Sequence, residues 1–294
     1  MTTPNPIALV TGGSRGLGRS TVLSLARRGV NTVFTYRSNL AEAKQVEALA
    51  RDAGAKAIGL QLDTGDVAGF DDFEARFRVA LEQLGAQRFD YLVNNAGNSH
   101  NVLFEKTTEA ELDELYQVHF KGVFFLTQKL LPLMNDGGRI VNLSTGLTRM
   151  THPGRASYAS MKGAIEILTR YLAKELGPRG ITVNAVAPGA IATDFSGGAV
   201  RDNPELHKRV AENTALGRVG VPEDIGPMIA SLLAPENRWV NAQRIEVSGG
   251  MGLERVVDGL HGRLPRICMR ITLTPPSASS GSFANQACTC GVWL

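Results

Sequence analysis

Cysteine is absent from residues 1–254. The three present, Cys268, Cys288 and Cys290, all lie near the C-terminus. This excludes a disulfide framework or a thiolate metal site from the body of the chain. Other histidines, His100, His152, His207 and His261, show no ligand spacing, so no metal site is expected. No apolar run approaches the ~20 residues that cross a bilayer. The first residues, Met1-Thr-Thr-Pro-Asn-Pro6, have neither a basic region nor a long apolar stretch, so they do not read as a secretory signal. A cytoplasmic protein without membrane attachment is expected. Charge of one sign is also scarce. The net charge is +3, from 31 basic and 28 acidic residues. Without a clustered basic excess, a nucleic-acid partner is not expected.

Charge and composition divide the chain. From Arg255 onward there are four arginines, no lysine and a single acid, Asp258, whereas residues 1–254 are balanced. Thr272–Gly291 is dominated by Thr, Pro, Ser, Gly and Ala, which reads as loop or disorder. Val256, Val257, Leu260 and Leu264 have helical spacing. Residues 1–253 are therefore expected to form one domain, and 254–294 an atypical, partly disordered extension. An out-of-frame or unprocessed extension is the first explanation, and a partner-binding or redox-sensing tail the second. A hydrophobic content of 43% and a charged content of 20% suit a globular body.

Within the body, short β-branched runs alternate with longer helical patterns. Strands are expected at 7–11, 31–36, 57–62, 89–93, 139–143, 181–186 and 244–247. Helices are expected at 16–28, 40–53, 67–84, 110–135, 155–176 and 222–233. Residues 193–220 read as a polar, glycine-rich segment. Seven strand–helix alternations predict an α/β fold: a doubly wound, parallel, seven-stranded sheet in a single domain.

The first strand runs into Thr11-Gly-Gly-Ser-Arg-Gly-Leu-Gly-Arg-Ser20. A nucleotide-triphosphatase loop would need Lys where Arg19 stands. The Gly12-x-Ser14-x-Gly16 spacing matches a hydrolase nucleophile turn, but that turn needs an oxyanion loop from an earlier strand. Gly12-x3-Gly16-x-Gly18, directly after the first strand, fits dinucleotide binding. There the glycines permit a tight turn and close approach of a pyrophosphate to a helix N-terminus. About 20 residues on, where an acid would select NAD, stands Tyr36-Arg37-Ser38. Arg37, with Arg15 in the loop, offers donors to a 2′-phosphate, so NADP is expected and NAD is less favoured.

Tyr158 and Lys162 stand at i and i+4 in a helical segment, on one face. A phenol is a weak acid with a reference pKa of about 10. A neighbouring ammonium and a positive nicotinamide would lower it and favour proton exchange with a carbonyl or alcohol oxygen. Ser144 and Thr145 end the fifth strand, where a hydroxyl could bond the substrate oxygen.

Four motifs fall in order on successive strand ends: the glycine loop, Asn94-Asn-Ala-Gly97, Tyr158-x3-Lys162 and Pro188-Gly189. With them the chain resembles the short-chain dehydrogenase/reductase family over residues 5–252, and most nearly its 3-oxoacyl-carrier-protein-reductase-like branch. The resemblance implies reduction of a ketone or 3-oxoacyl carbonyl to a secondary alcohol. It implies Tyr158 as general acid/base and Lys162 on the nicotinamide ribose. Gly12, Ser14, Arg15, Gly16, Leu17, Gly18, Arg37, Ser38, Thr64, Asn95, Ala96, Gly97, Pro188 and Gly189 would form the cofactor path. Asp63 would meet the adenine, while Ile191 and Thr193 would hold the carboxamide. Residues from Asp194 to about Arg218 would form a substrate lid. A homo-oligomer, tetramer or dimer, is also implied.

Two positions depart from the family pattern. The family's catalytic Ser aligns with Thr145, leaving Ser144 as the alternative hydroxyl. The Asn of its proton relay aligns with His119, which serves either as a relay or as a hydrogen-bonded core histidine. An NADP-binding regulatory or scaffold protein, its catalysis lapsed through Thr145 and His119, is the competing expectation.

Overall fold

In the computed structural model, which describes residues 5–253, β1 (Ile7–Val10) is buried along its whole length. Its side chains alternate between two cores. Ala8 and Val10 join Val22, Leu25, Phe34, Val46, Ile225 and Ile229. Ile7 and Leu9 join Phe70, Phe73, Phe77, Leu126, Leu130 and Ile140. A strand buried on both faces must be covered by helices on both sides, because successive side chains point in opposite directions.

The chain supplies those helices between strands. After β1 come α1 (Gly16–Ala26), β2 (Asn31–Tyr36), α2 (Leu40–Asp52), β3 (Ala57–Gln61), α3 (Phe70–Gln83) and β4 (Phe89–Asn94). Next are α4 (Glu109–Tyr116), a π-helical turn (Gln117–Lys121), α5 (Gly122–Leu130), β5 (Met134–Leu143), α6 (Ala156–Glu175) and β6 (Thr182–Pro188). The last elements are α7 (Ala199–Asp202), α8 (Pro204–Glu212), α9 (Pro222–Leu232) and β7 (Arg244–Val247). All strands are parallel, in the order β3-β2-β1-β4-β5-β6-β7. The chain winds outward from β1 through β2 and β3, then returns to start the other half at β4. That reversal opens a crevice at the carboxyl ends of β1 and β4.

The seven parallel strands agree with the sequence reading, but two segments differ. The expected helix over 110–135 breaks into α4, the π turn and α5, and a single turn at Leu131–Leu133 precedes β5. Pro132 lies in that turn, and Met134 already pairs with Phe89. The register then shifts, with Asn135 donating to Asp90 Oδ1 (2.9 Å), before regular pairing resumes at Arg139. The polar stretch 193–220 contains two helices. Asn203 caps α8 by accepting the Leu206 N–H at 3.0 Å, and Pro204 occupies the first turn. An Asn-Pro start of this kind is a legible helix signal. The reading of 254–294 as an extension, and its three cysteines, lies outside the described residues. Among the described residues, no helix is long and apolar enough to cross a membrane.

Candidate active site

The loop from β1 to α1 is shaped to hold an anion. Gly16 has φ +55°, which a side-chain-bearing residue rarely adopts. A Cβ at Gly18 would lie 2.1 Å from the Gly12 carbonyl oxygen, so only glycine lets α1 start this close to the loop. Arg15 precedes α1 without a side-chain cap, and the first turn carries no acid. Its N–H groups therefore keep their positive potential for an external ligand. Ser14 is buried in this loop, whereas Arg15 is exposed. Leu17 packs against the core. Thr193, across the crevice, is the nearest neighbour of Gly16, 3.8 Å from a Cβ built there. This cradle fits a dinucleotide pyrophosphate.

Other expected cofactor residues cluster around the same crevice. Asn95 Nδ2 donates to the carbonyls of Thr11 (2.8 Å) and Gly12 (3.1 Å), tying the end of β4 to the glycine loop. Thr11 Oγ1 accepts the N–H groups of Asn95 and Ala96. Gly97 lies against His119; a Cβ there would be 2.6 Å from the ring. Beyond β6, the Gly189 N–H donates to Val247 O, and Ile191 bridges to Gly220. Arg37 and Asp63 form an ion pair at 3.0 Å, with Arg37 largely exposed. Ser38 and Asp63 line the same open cleft, while Thr64 is buried beside Gly122. The Arg37–Asp63 pair was not foreseen from sequence, since the partners lie on neighbouring strand ends 26 positions apart.

Tyr158 and Lys162, which i,i+4 spacing puts on one face of α6, are both buried. Lys162 Nζ donates to Leu143 O at 2.7 Å and lies 5.9 Å from the centre of the Tyr158 ring. Burial lowers the Lys162 pKa to about 7. The expected lowering of the Tyr158 pKa does not arise from the chain's own groups. Burial dominates and raises it, opposed by the Arg155 charge and by the Thr145 hydroxyl lying against the phenol. A buried phenolate loses its hydration, and these groups restore only part of it.

The two adjacent hydroxyls separate. Thr145 faces Tyr158. Ser144 Oγ donates instead to Glu166 Oε1 at 2.5 Å. Glu166 also receives Thr148 Oγ1 (2.8 Å) and Arg244 Nε (2.7 Å), and Arg244 Nη2 donates to Thr145 O at 3.1 Å. Glu166 and Arg244 thus brace the loop that presents Thr145. The sequence reading missed both, because their link joins a helix to the last strand.

His119 sits in the π turn, fully buried, edge-on to Tyr158 with ring centres 5.2 Å apart. Its Nε2 lies 2.7 Å from the Asn98 carbonyl oxygen, which can only accept, and 3.4 Å from the Asn98 N–H; the much shorter contact assigns the proton to Nε2. Nδ1 then presents a lone pair with no partner among the described residues. Burial, reinforced by Lys162, holds the pKa of His119 well below the usual histidine value, so the ring is neutral. No group of His, Cys, Asp or Glu able to hold a metal ion occurs among the described residues.

A doubly wound sheet with an anion cradle at its switch point and a buried Tyr–Lys pair beside it defines a dinucleotide-dependent oxidoreductase. Residues 12–252 match the family described as enoyl-(acyl carrier protein) reductase. The chain is 37% identical over 246 residues to the 3-oxoacyl-(acyl-carrier-protein) reductase FabG of Staphylococcus aureus, covering 83% of this chain and 97% of that one. Among solved structures it is similar to LugOII, a promiscuous reductase that catalyses keto-reduction at C1 during lugdunomycin biosynthesis. That match has 38% identity and a TM-score of 0.81, over 86% of this chain and all of the other. It is also similar to the angucycline C-6 ketoreductase LanV with bound NADP, at 35% identity and a TM-score of 0.80, over 85% of this chain and 96% of that one. The chain belongs to the short-chain dehydrogenase/reductase family, in its FabG-like branch, and is an NAD(P)H-dependent reductase.

Proposed function

We propose that the protein reduces a ketone or 3-oxoacyl carbonyl to a secondary alcohol with NADPH, using Tyr158 as the proton donor. The observation that carries this reading is the buried grouping of Tyr158, Lys162 and Thr145 at the carboxyl ends of the central strands. FabG, LugOII and LanV, similar over most of their length, are named as reductases of such groups. When bound, the nicotinamide supplies the hydride and, once oxidised, a positive charge.

The chain's own residues handle the oxygen and the proton. Thr145 Oγ1 positions the carbonyl oxygen beside the Tyr158 hydroxyl. As negative charge builds on that oxygen, the phenol transfers its proton to it. The resulting phenolate is stabilised by Arg155 and the Thr145 hydroxyl, the two groups that already oppose burial at Tyr158. Lys162 sits next to the phenol and orients the ribose. Neutral His119, with its unclaimed Nδ1, serves as an acceptor in the path that returns a proton to Tyr158. For the cofactor, Gly12, Gly16 and Gly18 cradle the pyrophosphate. Arg37 is held by Asp63 at the end of β2, where it meets a 2′-phosphate.

Replacing Tyr158 with Phe removes the transferable proton and little else. Turnover of ketones and 3-oxoacyl thioesters should fall by at least ~100-fold, the scale of general acid catalysis, with NADPH affinity preserved. Stopped-flow or steady-state NADPH oxidation measures the first, and fluorescence titration the second. A Phe variant retaining most of its turnover would remove Tyr158 from the mechanism.

A further inference from the structure

Arg155 stands three residues before Tyr158, at the start of α6, and no part of the chemistry above requires it to touch substrate. Its guanidinium is half-buried. Nη1 reaches three oxygens at long range: Ser99 Oγ at 3.4 Å, the His100 carbonyl at 3.4 Å and Ser196 Oγ at 3.5 Å. None is a carboxylate, and among the described residues no acid pairs with Arg155 within 4.0 Å. A partly desolvated arginine is normally paired, because its charge has lost hydration.

The acids near this mouth are engaged elsewhere. Glu114 takes His100 Nε2 (2.8 Å) and Asn98 Nδ2 (2.7 Å). Asp194 is bonded to Arg201. The backbone adds to the positive potential. Arg155 caps α6, a 20-residue helix, without a side-chain cap bond, and the first turn contains no acid.

The surroundings belong to the substrate side of the site. Ser99 and Ser196 share a hydrogen bond at 2.6 Å that joins the loop after β4 to the lid. Ser196 is held at φ +55°, an unusual conformation outside glycine. Its neighbour Phe195 lies 5.9 Å, centre to centre, from the Tyr158 ring. Arg155 and Phe195 therefore border the Tyr158 phenol, with the two serines linked to them.

We propose that Arg155 is a specificity residue, and that the substrate is a ketone bearing a carboxylate that Arg155 pairs with. The proposal rests on the carbonyl-reductase reading and adds the substrate's charge to it. An incoming carboxylate would accept two parallel donors from the guanidinium, replacing the long contacts to Ser99 and Ser196. The lid would close over it through Ser196 and Phe195. Arginine suits this task better than lysine, because its fork fixes the carboxylate's orientation and with it that of the ketone.

The test uses matched pairs differing only in charge: acetoacetate with methyl acetoacetate, and 3-acetylbenzoate with methyl 3-acetylbenzoate. For each, kcat/KM is measured with NADPH in the unaltered protein, in Arg155→Gln and in Arg155→Lys. The unaltered protein should favour the acid in at least one pair. In Arg155→Gln the acid-to-ester ratio should fall by about 10- to 100-fold, as expected for loss of a charge-assisted hydrogen bond. Arg155→Lys should keep part of the preference. A merely structural latch would lower acid and ester alike and leave the ratio unmoved. If the esters are reduced and the ratio is the same in the unaltered protein and Arg155→Gln, the proposal fails while the carbonyl-reductase reading stands. If no ketone, charged or neutral, is reduced, both fail.

Discussion

Replacing Lys162 with Met should make the protein more stable at mildly acidic pH while destroying its activity. Lys162 is 5% exposed, and among the described residues its ammonium has a single partner, the Leu143 carbonyl, at 2.7 Å. Burial brings its pKa from 10.5 to about 7. The sign follows from proton uptake. Between about pH 7 and 10.5 the unfolded chain holds a proton on this lysine and the folded chain does not, so stability rises with pH across that window. Below pH 7 the full cost of burying the charge applies; above 10.5 it is gone. That cost is of order 5 kcal/mol at about 1.4 kcal/mol per pH unit. Methionine fills similar volume without the charge, but leaves the Leu143 carbonyl short of a donor, which costs about 1–3 kcal/mol. The net gain at pH 6 is therefore about 2–4 kcal/mol, or roughly 5–10 °C in Tm for a domain of this size. Thermal melts of Lys162→Met and the unaltered protein from pH 6 to 10 measure the difference. It should stay level to about pH 7, shrink above it and vanish or reverse near pH 10. A variant less stable at pH 6, or a difference independent of pH, would refute the burial argument.

Two further predictions concern the hydroxyls and the cofactor. Thr145→Val should lower kcat by about 100- to 1000-fold, the range for losing a hydrogen-bond donor on a developing oxyanion. Ser144→Ala should act mainly on stability, by about 1–2 kcal/mol, because it frees one bond to Glu166; full activity in Thr145→Val would overturn the assignment. Arg37→Asp should raise the KM for NADPH at least ~10-fold and flatten or reverse the preference over NADH, since it replaces a phosphate donor by a second acid beside Asp63. Equal kcat/KM for both cofactors in the unaltered protein would refute the role of Arg37.

The sequence determined the sheet, the glycine cradle and the Tyr158–Lys162 pair, because each depends on local spacing. A strand buried on both faces reads as a short apolar run, and residues at i and i+4 share a helix face wherever that helix lies. What it left open is decided by contacts between distant segments. Ser144 and Thr145 both offer a hydroxyl at the end of the fifth strand, but Glu166 from α6, braced by Arg244 from β7, takes the first and leaves the second beside Tyr158. The protonation of His119 depends on the Asn98 carbonyl and on burial in a π turn that the helical pattern did not betray. Arg155 reads as an ordinary arginine at a helix start. Only the contact between Ser196 and Ser99, with Glu114 and Asp194 bound elsewhere, leaves its charge acting on the Tyr158 phenol. Periodicity carries information over one or two turns, whereas pKa values and hydrogen-bond choices are set by whatever the fold brings within a few ångströms.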